Sequence, residues 1–421
     1  MNSQMAQGTV PVTRRRVFYI PGYDPIHPRR YRELYRKESA AQAAISGYQI
    51  ALKPRKGARY GWQVAATIEG RPVQADVEVL VWSDIVRHSM NTGILSTYGQ
   101  LGRTAWIYIV SGALRRLMWL RKGPVIAALY PVVMLLGQLA LAMAVAWYGG
   151  QAVGAALAWG LGALGLDIAP LLLRLSGHTL GFAAAVWLMR WFRARDGRFF
   201  AYYLMHDYAF SAATRGANPP ALEARMAEFT AAIARAMASD ADEVLVVGHS
   251  SGAHLAVSCI ADLIRQGCVP ANGPALALLT LGQVIPMVSF LPEAQRLRAD
   301  LHFLSARDDL TWVDVTAPGD GCAFALCDPV AVSGVAPEGQ KWPLVVSAAF
   351  TQTLKPETWK ALRWRFFRLH FQYLCAFDAP GDYDYFRITA GPQTLAARYA
   401  GRKPSKSRIV RPASSHTTMA A

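Results

Sequence analysis

From Pro124 to Trp147 the chain runs PVIAALYPVVMLLGQLALAMAVAW, twenty-four residues without a charge. No other feature limits the possible folds so strongly. A helix of that length reaches about 36 Å at roughly 1.5 Å per residue, and the hydrocarbon core of a bilayer is about 30 Å thick. A second apolar stretch follows Gly149-Gly150 and continues to Phe192, with Asp167, Arg174, His178 and, at its end, Arg190 as its ionisable residues. It is too long for one crossing and too short for two. The pattern therefore predicts spans at about 124–148 and 168–191, with the Gly/Ala-rich piece 151–166 as a short interfacial or re-entrant helix. The competing expectation, a buried helical hairpin in a soluble protein, must accommodate twenty-four uncharged residues in a row. Composition points the same way: of 421 residues, 53% are hydrophobic and 17% charged, whereas soluble domains are about a quarter charged.

Charge sets the expected topology. The formal net charge is +16, and residues 1–60 hold twelve Lys/Arg against Asp24, Glu33 and Glu38. Such a balance invites a nucleic-acid reading, but the basic residues gather beside the apolar region, where anionic lipid headgroups are the better-matched partner. No nucleic acid is expected. Arg115, Arg116, Arg121 and Lys122 precede the first predicted span, Arg190, Arg193, Arg195 and Arg198 gather at and beyond the end of the second, and 149–170 has no Lys or Arg. With an even number of crossings, the positive-inside rule puts the bulk of the chain in the cytoplasm, on the inner membrane. Trp147, Tyr148, Trp187 and Trp191 stand where interface anchors would. The opening MNSQMAQGTVPVTRRR has no apolar core, so no signal peptide is expected. Five cysteines exclude a disulfide scaffold. Cys322 and Cys327 lack a second pair for zinc, and no Gly-x-Gly-x-x-Gly or Walker lysine motif occurs, so neither a metal nor an organic cofactor is expected.

Outside the apolar region the pattern alternates strands and helices. RVFYIP (Arg16–Pro21) reads as a buried strand stopped by Pro-Gly, followed by a helix over about Arg29–Ser46. Trp62–Ile68 and Gln74–Trp82 read as a hairpin around Glu69-Gly70, and Pro220–Ala238 as a helix. Then Glu243–Gly248 (EVLVVG) has the continuous apolar character of a central strand, residues 248–252 are Gly-His-Ser-Ser-Gly, and Ala253–Arg265 is an amphipathic helix. Strand, G-x-S-x-G, helix is the sequence form of a nucleophile elbow. A serine hydroxyl is a poor nucleophile unless held out beside a base. A tight strand-to-helix turn does this for Ser250, and the flanking glycines make room. The other reading of this stretch is a simple helix N-cap serine. Further on, Ala275–Gly282, Leu310–Thr316 and Leu344–Phe350 read as strands and Pro292–Ala306 as a helix.

On the elbow, the opening V-F-Y-I-P-G-Y-D-P and the segment W-S-D-I-V-R at 82–87, the chain resembles an α/β-hydrolase. In detail it is similar to an uncharacterised bacterial family of membrane-inserted α/β-hydrolases. The likeness covers about 1–113 and 200–395, with 114–199 as a membrane hairpin insertion and 396–421 as a basic, disordered tail. It implies an α/β fold with a mostly parallel sheet flanked by helices, and a triad in the order Ser, Asp/Glu, His. Asp320, in A-P-G-D-G just past a strand, is the expected acid. Asp328 is its close rival, and Asp314, Asp308 and Asp309 rank lower. For the base, His370 and His416 follow the last predicted strand. His416 lies in the tail, so His370 is preferred, although 357–374 has helical spacing and a triad histidine usually sits in a loop. His249 is expected to line or back the pocket and His254 to be packing. The resemblance further implies an oxyanion hole from the N–H of Ser251 and of Tyr23, with Gly22 leaving room. The expected activity is hydrolysis of an acyl ester or thioester, of lipid-like character. The alternatives are a catalytically inactive scaffold or binding protein and, on only two spans, poorly, a transporter subunit.

Overall fold

A computed structural model describes residues 11–55 and 59–420. The opening residues through Val10, Lys56 of the basic N-terminal region and the last tail residue, Ala421, lie outside the described residues. The chain forms two compact units: one of Met1–His88, Ile107–Ala127 and Ser211–Ala421, the other of Ser89–Trp106 and Ala128–Phe210. These borders differ from 114–199: residues 107–113 and 114–127 stay with the first unit, and 89–106 belong to the second.

The first unit is built on an eight-stranded sheet. Its strands are β1 (Arg14–Ile20), β2 (Gln49–Pro54), β3 (Gly61–Ile68), β4 (Arg71–Val79), β5 (Glu243–His249), β6 (Ala275–Leu281), β7 (Thr311–Thr316) and β8 (Leu344–Ser347), in the spatial order β2-β3-β4-β1-β5-β6-β7-β8. From β4 through β8 all neighbours are parallel, and β3 runs antiparallel to both β2 and β4. Every residue of β5 is buried, as its apolar run requires for a central strand covered on both faces. In β3 exposed and buried residues alternate, the period of a strand with one face on the core. β2 has no sequence signal: at the sheet edge, QIALKP buries none of its side chains fully. Val17, Leu245, Leu279, Val313 and Val346 form one continuous core across the parallel strands. Helices Arg29–Ser46, Pro220–Met237, Gly252–Arg265 and Gln295–Ser305 flank the sheet.

Two expectations for this unit are corrected. The tail is ordered against the unit. Ile409 pairs with Leu326 and Asp328 through both its backbone groups, Ser405 donates to the Val345 carbonyl, and Arg298 donates to the carbonyl of Thr418. The tail's Lys/Arg content hid these anchors, which are mostly main-chain. The region 357–374 is also not one helix. It breaks into Pro356–Leu362, Phe366–His370 and a short 3-10 turn, Gln372–Leu374.

The second unit is helical. Gly149-Gly150 does not end the first apolar helix, so 151–166 is no separate short element. Helix runs without interruption over Lys122–Ala163, 42 residues, with a π-helical stretch at Val145–Gly149. The turn falls at 164–169, and the second helix is Pro170–Ala194. Of the two glycines that read as breakers, Gly150 serves close contact between the helices. A Cβ on Gly177 would stand 2.3 Å from the Gly150 carbonyl oxygen, and one on Gly181 2.5 Å from that of Ala146. Small residues at four-residue spacing let the two backbones touch. Both helices are long and apolar enough to cross a membrane. Most of their surface is uncovered, including Trp147, Trp159, Leu171, Phe182 and Trp187.

Candidate active site

Ser250 is the first residue after β5 and adopts φ 57°. A non-glycine residue held in the left-handed region costs about 1–3 kcal/mol and persists only where the surroundings enforce it. Here the Ser250 N–H donates to the Leu281 carbonyl of β6 at 2.9 Å. Helix Gly252–Arg265 is packed so closely that a Cβ on Gly252 would meet the Ile20 carbonyl oxygen at 2.2 Å. A Cβ on Gly248 would meet Ala253 Cα at 2.7 Å. Both glycines of the motif are therefore sterically required. An N-cap role is absent: the residue preceding the helix, Ser251, makes no side-chain cap bond. Ser250 itself is partly accessible.

Asp320 and His370, fifty residues apart, come together. The Asp320 Oδ2 lies 2.7 Å from His370 Nδ1 and accepts the Tyr373 hydroxyl at 3.0 Å, while Oδ1 accepts the Cys322 N–H at 2.9 Å. Burial pushes the Asp320 carboxyl up, but the His370 imidazole and these donors outweigh it and hold the group below its ordinary value. The acceptor fixes the proton of His370 on Nδ1. Its Nε2 is buried and has no hydrogen-bond partner among the described residues, so it is not bonded to the Ser250 hydroxyl in this state. His370 sits at the end of its short helix, just before the 3-10 turn Gln372–Leu374.

Two links hold the histidine beside the elbow. Gly282, next to the carbonyl that receives the Ser250 N–H, has φ 52°, and a Cβ there would stand 3.1 Å from His370 Cε1 and 2.6 Å from the Tyr373 ring. His249, one residue before the serine, bonds the His370 carbonyl through Nε2 at 3.0 Å and faces the Tyr19 hydroxyl through Nδ1 at 3.3 Å. Burial first, then His370, lower the His249 pKa to about 3, so it is a neutral donor behind the site.

The Gly22-Tyr23 turn lies against the elbow, with the Gly22 Cβ position 3.0 Å from Ser250 Cβ. The Tyr23 N–H, expected to face an oxyanion, instead donates to the Ser251 hydroxyl at 2.8 Å. To serve an oxyanion it must exchange that partner. The remaining candidates have other roles. Asp328 caps helix Pro329–Val332 through the N–H of Val330 and Ala331 and accepts from Gln340. Asp314 lies inside β7 on the Thr280 hydroxyl. Asp308 and Asp309 pair with Lys341 and Arg307 at the surface. His416 contacts the Ser111 carbonyl, and buried His254 has its pKa lowered to about 4. Tyr373, Tyr19 and Gly282 were not legible in the sequence. Of these only Gly282, closing an apolar strand run, left a trace.

Asp320, Cys322 and His370 are also the one cluster of three metal-ligating side chains among the described residues, with ligand atoms within 4.8 Å of one another. Each oxygen of Asp320 already holds a protein donor, so a cation would have to displace these bonds. Comparisons with protein-family models, curated proteins and solved structures find no match to this chain.

Proposed function

We propose that the chain is a membrane-anchored serine hydrolase of α/β-hydrolase type that cleaves an acyl ester or thioester of lipid-like character. The observation that carries this reading is the coincidence of a strained serine elbow with a buried histidine oriented by a carboxylate. In the reaction His370 Nε2 takes the Ser250 hydroxyl proton as Oγ bonds to the acyl carbon. The tetrahedral intermediate collapses, and His370 returns that proton to the departing alcohol or thiol. Water, deprotonated by the same nitrogen, then releases the acid and restores the serine. Asp320 keeps the imidazole tautomer and stabilises the imidazolium. Ser251 and Tyr23 N–H groups would steady the oxyanion once Tyr23 leaves the Ser251 hydroxyl. The sheet order, with β3 antiparallel and the elbow after a central strand, is consistent with the α/β-hydrolase assignment.

The membrane part of the proposal rests on the uncovered apolar surface of helices Lys122–Ala163 and Pro170–Ala194. Contiguous exposed apolar surface marks a membrane or partner contact, and a hairpin buried in a soluble protein would be covered. The 42-residue helix is about 63 Å long, twice a bilayer core, so only part of it crosses. In this reading Ala142–Ala163 with 170–189 is the crossing hairpin and 164–169 its far turn, supported by the packing of Ala142 on Ala185 and Met189. Arginines at 190–198 then mark the cytoplasmic side of the inner membrane.

The engaged Tyr23 N–H and the unbonded Ser250–His370 pair favour the second reading, an inactive scaffold. Labelling of isolated membranes with a fluorophosphonate probe decides between them. Wild-type labelling that disappears in Ser250→Ala and in His370→Ala is the expected result. A folded wild type that does not label sinks the hydrolase and leaves the scaffold. Loss in Ser250→Ala alone removes His370 from the mechanism.

A further inference from the structure

Within the second unit, an open groove of about 590 Å³ lies between Gly93, Ile94 and Leu95 at the start of helix Ile94–Val110 and Arg190, Arg193 and Ala194 at the end of helix Pro170–Ala194. Its charge is all of one sign. Arg190, Arg193, Arg195 and Arg198 make no ion pair among the described residues. The one acid nearby in sequence, Asp196, spends both oxygens on the N–H groups of Tyr202 and Tyr203. The groove is also apolar at one end. Leu95 is 88% exposed, and Ile94 packs on the Ala142, Ala185 and Met189 cluster of the hairpin. Arg193 donates to the Thr92 carbonyl, which holds its guanidinium at the groove. Arg195 lies over the Trp191 ring at 4.3 Å, an amphipathic pairing suited to a membrane interface.

We propose that this groove binds the phosphate headgroup of an anionic phospholipid. Arg190 and Arg193 would take the phosphate oxygens, and the acyl chains would run past Leu95 along the hairpin. The inference rests on the membrane reading of the hairpin and not on the serine chemistry. Charge complementarity selects an anion, and continuity with the apolar helices selects a lipid over a free ion. Guanidinium forks match phosphate geometry and are weakly hydrated, so they bind it well at an interface.

The test uses the full chain in mild detergent, titrated with phosphatidylglycerol or phosphatidylcholine and read by native mass spectrometry. Wild type is expected to hold phosphatidylglycerol in preference to phosphatidylcholine. Arg190→Gln/Arg193→Gln should weaken phosphatidylglycerol binding about 30-fold, at roughly 1 kcal/mol for each basic residue near anionic lipid. Arg190→Lys/Arg193→Lys should keep most of it, which separates lost charge from lost folding. Equal binding of the two lipids, an unchanged affinity in the Gln pair, or displacement of the lipid by inorganic phosphate would overturn the proposal. Alkaline carbonate extraction separates the two readings. Protein that washes off membranes yet binds phosphatidylglycerol through these arginines loses its spans and keeps the groove. Embedded protein with an unchanged Gln pair keeps its spans and loses the groove.

Discussion

Asp320→Asn is the most informative single substitution, because the Asp320 carboxylate has a donor on every side. His370 Nδ1–H and the Tyr373 hydroxyl approach Oδ2, and the Cys322 N–H approaches Oδ1. An amide has one acceptor oxygen. Turned with its oxygen toward His370, it sets NH2 against the Cys322 N–H, a buried donor clash of about 1–3 kcal/mol. Turned the other way, it donates to His370 Nδ1 and drives the ring proton to Nε2. That is the nitrogen that must be free to accept the proton of Ser250. The Tyr373 hydroxyl can rotate to accept from that NH2, whereas the Cys322 N–H can only donate, so the second arrangement is preferred and the unproductive tautomer should dominate. Loss of the correct tautomer in a triad lowers turnover by about 10⁴, close to 5.5 kcal/mol in the barrier. The assay is the rate of fluorophosphonate labelling at Ser250 in membranes, with Asp328→Asn as comparator. Asp328 caps a helix, so that variant should lose on the order of 1 kcal/mol of stability and label normally. An Asp320→Asn protein labelling within about threefold of wild type, with a collapse in Asp328→Asn instead, would falsify the acid assignment and the tautomer argument with it.

Other outcomes follow from the same geometry. Gly252→Ala must move backbone by about 1.2 Å to bring its 2.2 Å contact with the Ile20 carbonyl to ordinary separation. A displacement of about 1 Å at the elbow should cut labelling roughly 100-fold while the chain still folds, and an unchanged rate would show that the turn does not position Ser250. His249→Ala removes the bond to the His370 carbonyl and is expected to slow labelling about tenfold or more, whereas His249→Gln, which keeps a donor there, should recover most of the rate; equal loss in both would mean that His249 acts by packing alone. Asp314 is pushed up to about 8, chiefly by burial and in spite of the Thr280 hydroxyl. Between about pH 4 and 8 the folded state then holds a proton that the unfolded state lacks, so stability falls as pH rises. Asp314→Asn should remove that slope, on the order of 4 kcal/mol across the window, as read by thermal unfolding at pH 5 and pH 8; parallel pH profiles would refute it.

Periodicity and local turn chemistry were enough to place the parallel strands, the hairpin about Glu69-Gly70, the serine elbow and the apolar helices. Each is a property of a few neighbouring residues: a run buried on both faces, an alternation of period two, a glycine pair around a serine. Asp320 and His370 were reachable by chain order, since each follows a recognisable strand. What joins them was not. The Tyr373 hydroxyl on the carboxylate, the His249 bridge to the His370 carbonyl and the space at Gly282 depend on segments between 19 and 373 meeting at one end of the sheet. The same limit explains the misread hairpin. Gly149-Gly150 looks like a break when only its own helix is considered, because glycine weakens an isolated helix. Against Gly177 and Gly181 of the returning helix, Gly150 is a close backbone contact, and the helix continues through it. The tail, too basic to suggest packing, is held by main-chain bonds to Leu326, Val345 and Asp328 that no side-chain pattern records. Local physics therefore determined which elements exist and where Ser250 stands. Only tertiary contact decided which distant groups orient the histidine, where the membrane-length helices turn, and which arginines carry no ion pair among the described residues.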